Sequence, residues 1–111
     1  MADIRCGITW LPLAAAAAVL FSPLAAQAEP KNAEALKRFV HQDCGSCHGL
    51  TLKGGLGPEL TQEALQYYDR DVLSGVILDG IDDTPMPPWR PLLSEQDAAR
   101  IADYLLSGEM K

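Results

Sequence analysis

Five consecutive residues, Cys44-Gly45-Ser46-Cys47-His48, have the types and the spacing to do chemistry. On one helical turn Cys44 and Cys47 stand three residues apart and His48 four from Cys44, so their side chains leave one face. Two thiols and an imidazole on one face form the pattern of c-type haem attachment. Each thiol can add to one vinyl group of a haem while the imidazole is held under the iron. Two other chemistries use a C-x-x-C pair. A zinc knuckle needs a second pair of ligands, and beyond the N-terminal segment the only spare is His41. A thioredoxin-like dithiol needs a βαβ setting, and the chain carries no clear strand pattern. The residues favour haem.

A second stretch bears on the same chemistry. Pro85, Pro87, Pro88 and Pro91 crowd around Met86 and Trp89, a composition that forms neither helix nor central strand. Such stiffness makes sense if the Met86 sulfur must be presented at one point, as the distal ligand of an iron that His48 holds from the other side. The alternative is a methionine packed in a loop. Trp89 would wall the pocket, and Arg90 would pair with a haem propionate or face water. Tyr67 and Tyr68 would touch haem or merely pack.

Between the two stretches lies a glycine-rich loop, residues 49–58. It lacks the strand, the spacing and the Lys-Ser/Thr of a phosphate loop, so its glycines are read as allowing tight turns near the haem. The Pro58 carbonyl is placed to accept a hydrogen bond from the ring nitrogen of His48 that faces away from the iron, fixing its tautomer and orientation.

These residues need helices to position them. Asn32 is a plausible N-cap for a helix from Ala33 to about Asp43, with Leu36, Phe39 and Val40 at helical spacing, running straight into the thiol motif. His41 falls on its polar side and reads as a surface histidine rather than an iron ligand. Thr61 would cap a short helix through about Tyr68, with Glu63 in its first turn. Asp69 or Asp71 would cap another, with Val72, Leu73, Val76 and Ile77 as its apolar stripe and Gly80 as its stop. Ser94, with Asp97 three residues on, approximates a capping box for the last helix. Ala98, Ile101, Ala102, Leu105 and Leu106 form its buried face, Tyr104 flanks it and Gly108 ends it. Met110 is expected to fray.

The chain has 111 residues, room for one small domain. Residues 1–28 read as a cleaved secretory signal peptide: Arg5, an apolar run from Ile8 to Leu24, then Ala26-Gln27-Ala28. Pro12 and Pro23 and the short run argue against a membrane span. Cys6 leaves with this segment, so residues 29–111, the remaining domain, keep only the two motif cysteines. Asp3 and Arg5 cancel, and the remainder carries the whole net charge of −6. That acidity disfavours nucleic acid and anionic lipid as partners. A domain this small has little core of its own, and a covalently held haem would supply much of the rest.

In its order of elements the chain resembles the class I c-type cytochromes over residues 32–107. The shared features are the helix leading into Cys44–His48, Gly57-Pro58, Met86-Pro87 and a last helix bearing Tyr104. The resemblance implies an all-α fold of three to five helices around one covalently attached haem c, with the first and last helices crossing. It also implies iron held by His48 and Met86. The stretches His48-Gly49-Leu50-Thr51-Leu52-Lys53-Gly54-Gly55 and Asp83-Thr84-Pro85-Met86-Pro87-Pro88-Trp89 are similar to the NirC-type periplasmic monohaem cytochromes of denitrifying bacteria. That narrower likeness implies a monomeric, periplasmic electron donor to cytochrome cd-type nitrite reductase. Filled coordination at His48 and Met86 requires no general base or nucleophile, so a one-electron carrier rather than an enzyme is expected. Two alternatives stand beside it: an assembly factor for maturation of nitrite reductase and its modified haem, or a haem-based ligand sensor or enzyme with a labile Met86. The latter would need His41 or Arg90 over the iron.

Overall fold

The computed structural model describes residues 28–111, so the expected signal peptide lies outside the described residues apart from Ala28. The order of elements is α1 (Ala33–Phe39), a π-helical turn (Val40–Cys44), α2 (Gly45–His48), α3 (Gln62–Leu65), α4 (Arg70–Asp79) and α5 (Glu95–Ser107). The described residues contain no strand. The fold is all-α, as expected. None of the described helices is long and apolar enough to cross a membrane.

α1 begins where Asn32 Oδ1 accepts the Ala35 N–H at 2.8 Å, satisfying one of the donors a helix start leaves free. The sequence pattern then predicts one unbroken helix into the motif, and here the structure differs. The Gly45 N–H reaches back five residues to the Val40 carbonyl, so one wide turn separates α1 from the motif helix α2.

α5 is the spine of the molecule. It packs most extensively on α4, and it also meets α1 and α3. Ala98 and Ala102 are fully buried on it beside Ile101, and small side chains there let α4 and α1 approach closely. Leu36 and Val40 from the first helical segment, Leu73, Ile77 and Leu78 from α4, Leu93 and Leu105 complete the core. The loop after α2 adds Leu52, and α3 adds Leu65.

The start of α5 is a capping box. Ser94 Oγ accepts the Asp97 N–H at 3.0 Å and Asp97 Oδ2 accepts the Ser94 N–H at 3.3 Å. The carboxylate has a further task, because Asp97 Oδ1 also accepts the Lys31 N–H at 2.9 Å. Arg100 Nη1 donates to the Lys31 carbonyl at 2.6 Å, and Lys31 Nζ donates to the Leu92 carbonyl. The segment before α1 is therefore stitched to α5 through a carboxylate with no exposed surface.

Several boundaries depart from the sequence pattern. α3 stops at Leu65, because the Tyr68 N–H closes a short turn on the Leu65 carbonyl at 2.9 Å. Asp69 holds the N-cap position of α4, yet its side chain caps nothing. The buried stripe of α4 is Leu73, Ile77 and Leu78, while Val72 is half-exposed. Met110, expected to fray, is partly buried against the core, and Arg100 Nε donates to the Lys111 carbonyl at 2.7 Å nearby.

Asp97→Ala removes a cap and leaves the Lys31 and Ser94 N–H groups without their acceptor. It should lower unfolding free energy by about 2 kcal/mol in urea titrations of the haem-loaded protein. The neighbouring exposed change Gln96→Ala should stay within about 0.5 kcal/mol.

Candidate haem site

Cys44, Cys47 and His48 lie on the continuous helical run made by the π turn and α2. Both thiols are free and half-buried. Burial, and next the charge of Asp43, push the Cys44 thiol up to about 11. Ser46 Oγ donates to the Asp43 carbonyl at 2.7 Å, tightening the turn between the cysteines.

The loop after α2 folds back onto it. Helix ends leave carbonyls without partners, and here the Gly57 N–H takes the Cys47 carbonyl at 2.8 Å while the Gly54 N–H takes the His48 carbonyl at 2.8 Å. The Leu60 N–H then binds the Leu52 carbonyl at 2.8 Å and closes the loop. This return path carries Pro58 to the imidazole, whose Nδ1 lies 2.6 Å from the Pro58 carbonyl oxygen. A carbonyl can only accept, so Nδ1 carries the proton and Nε2 keeps its lone pair for a metal. The sequence-predicted bond is present. It exists because residue 57 is glycine: a Cβ there would sit 2.8 Å from His48 Cε1 and 2.9 Å from Nδ1, too close for any side chain.

Met86 is half-buried on a separate loop between α4 and α5. Its N–H donates to Thr84 Oγ1 at 3.3 Å and its carbonyl accepts the Ile81 N–H at 3.2 Å. Thr84 Oγ1 in turn donates to the Ile81 carbonyl at 2.7 Å. Beyond the prolines, the Trp89 N–H is shared between the carbonyls of Ile77 at 3.2 Å and Leu78 at 3.1 Å. The Trp89 ring meets Phe39 of α1 edge to face, with centroids 5.1 Å apart, linking the Met86 loop to the helix that leads into the thiols.

Two expectations change. His41 is no free surface histidine: Nε2 lies 2.8 Å from Tyr104 Oη and Nδ1 3.3 Å from the Leu50 carbonyl. Both ring nitrogens are engaged in tying the π turn to α5, which removes His41 as an iron ligand and as the spare ligand of a zinc knuckle. Arg90 pairs with Asp79, Nε to Oδ1 at 2.5 Å and Nη2 to Oδ2 at 3.2 Å. A hydrogen bond from Arg90 holds the Asp79 carboxyl below the usual carboxylate range. Tyr67 and Tyr68 are both exposed and pack into no core. The roles of Phe39, Thr84, Asp79 and Tyr104 went unread, because each depends on a partner more than two turns away in sequence or on a loop backbone.

The donor set fits haem c: two free thiols three residues apart, an imidazole with its outer nitrogen fixed, and a methionine on a constrained loop. Among the described residues no group of three His, Cys, Asp or Glu side chains could hold a metal ion alone.

Comparison with known proteins agrees. The family described as cytochrome c oxidase, cbb3-type, subunit III matches residues 31–105. Cytochrome c55X of Pseudomonas aeruginosa is 48% identical over 102 residues, covering 91% of this chain and 86% of that protein. The solved structure of the c-type cytochrome NirC superposes with a TM-score of 0.67 at 52% identity, covering 69% of this chain and 91% of that one. This chain belongs to that family and is a NirC-like class I c-type cytochrome. A further solved structure, dihydro-heme d1 dehydrogenase NirN in complex with DHE, aligns with 68% of this cytochrome at 29% identity and a TM-score of 0.61. The aligned part is 16% of NirN. With one Cys-x-x-Cys-His motif, the cytochrome is a monohaem electron carrier by class.

Gly57→Ala forces the added methyl into the His48 ring. The ratio of attached haem to purified protein should fall about tenfold relative to Gly75→Ala. Gly75 is the matched control, since a Cβ there meets nothing within 4 Å.

Proposed function

We propose that the chain is an exported, monomeric carrier that holds one haem c and passes single electrons to cytochrome cd-type nitrite reductase in the periplasm. Cys44 and Cys47 would hold the group through thioethers, each sulfur bonding one vinyl carbon and the thiol hydrogen passing to the other. His48 and Met86 would hold the iron. When bound, the group supplies a reversible ferric–ferrous couple, and a thioether ligand favours the ferrous form.

The observation that carries this reading is the His48 Nδ1–Pro58 hydrogen bond at 2.6 Å, which makes Nδ1 the donor and leaves Nε2 as the nitrogen that can face a metal. The Met86 loop supports it, since its backbone is fixed at Ile81, Thr84 and Trp89 rather than left to reach in and out. Residues so held need little rearrangement when charge changes, which suits transfer rather than catalysis. The net charge of −6 suits brief docking on a basic face, with an on-rate that falls as salt is added. The likeness to cytochrome c55X and NirC supports the assignment to denitrification.

The likeness to part of NirN, a dihydro-heme d1 dehydrogenase, supports a second reading. There the chain would serve maturation of the reductase's modified haem.

Adding carbon monoxide to the reduced haem-loaded protein separates the carrier from a ligand sensor. The spectrum should change only slowly in the wild type and shift promptly in Met86→Ala. A prompt wild-type shift would end the carrier reading. Stopped-flow mixing with nitrite reductase then addresses the partner: the second-order rate should fall at least about tenfold between low and high salt. A slow, stoichiometric complex with reductase lacking its modified haem, without fast electron transfer, would favour maturation.

A further inference from the structure

The loop that carries Met86 leaves α4 at its last residue, Asp79, and the chain returns beside the same point at Arg90. Three contacts hold its base together. Gly80 adopts φ 68°, and a Cβ on it would sit 2.7 Å from the Met86 carbonyl oxygen and 2.8 Å from Pro88 N, so the two arms of the loop touch backbone to backbone. The Trp89 and Arg90 N–H groups bind the last carbonyls of α4, Ile77 and Leu78. The Arg90 guanidinium then grips both carboxylate oxygens of Asp79 in a fork and places positive charge at the negative end of the α4 dipole.

Between these arms the chain is stiffened by Pro85, Pro87 and Pro88. A stiff loop closed at its base transmits a change at residues 79 and 90 to residue 86. We propose that the Asp79–Arg90 ion pair is a latch that positions Met86 and sets how readily its sulfur leaves the iron. The inference rests on the reading of Met86 as the distal ligand. An exposed ion pair far from a ligand loop contributes little; this one joins the two ends of the loop that bears the ligand.

The Arg70–Asp103 pair supplies the comparison. It joins α4 to α5, with Nε to Oδ1 at 2.8 Å and side chains about as exposed as those of Asp79 and Arg90, but it does not bridge the ends of the Met86 loop. In the reduced haem-loaded protein, carbon monoxide binds only as fast as Met86 lets go. Asp79→Asn and Arg90→Gln should each speed that binding about two- to fivefold, the size an exposed forked pair can contribute. In the ferric protein the same variants should weaken the red charge-transfer band of sulfur-ligated haem. The swapped variant Asp79→Arg with Arg90→Asp should restore both readouts. Asp103→Asn should change neither, while lowering global stability comparably. If Asp79→Asn and Asp103→Asn bind carbon monoxide at the same rate as the wild type, the latch is refuted and Met86 ligation stands. If the wild type binds as fast as Met86→Ala, the ligand reading fails and the latch with it.

Discussion

The hydrogen bond from His48 Nδ1 to the Pro58 carbonyl is the contact on which the rest of the site depends. It decides which imidazole nitrogen carries the proton, and so which one can bind metal. It also dictates the path of the intervening loop. That loop must turn back within ten residues, lie close enough for its amides to reach the carbonyls of Cys47 and His48, and present no side chain at position 57. A glycine-rich sequence is the local consequence of that hydrogen bond, and the carbonyls at the end of α2 gain partners from the same turn.

Around that contact the molecule is held by polar stitches as much as by its small core. Asp97 joins the segment before α1 to the start of α5, His41 and Tyr104 join the π turn to the middle of α5, and Asp79 and Arg90 close the base of the Met86 loop. Each binds an irregular segment to a regular one. The apolar contacts, centred on Leu36, Val40, Ile101 and Ala102, fix how the helices cross. The polar ones fix where the connecting segments run, among them the loop that carries Met86.

The haem motif, the Pro58 acceptor, the capping box at Ser94 and the buried face of α5 were legible in the sequence, because each rests on short-range spacing. What was missed shares the opposite property. His41 looks exposed on a helical wheel, and only the meeting of the π turn with α5 reveals Tyr104 as its partner. Arg90 looks like a free cation until the loop returns it to Asp79. The shortness of α3 follows from a backbone turn at Leu65–Tyr68 that no side chain announces. Long-range polar pairing leaves no periodic trace.

The π turn at Val40–Cys44 has a meaning for the chain's register. It takes in one more residue than an α-helical turn, so everything after it is offset by about 100° from where an unbroken helix would point. Leu36 and Val40 can therefore face α5 while the thiols of the following turn take a direction of their own. The turn works like an offset coupling between two shafts: one end is set by packing, the other by haem attachment. Deleting one residue there would realign the two ends and force a choice between the core and the thiols.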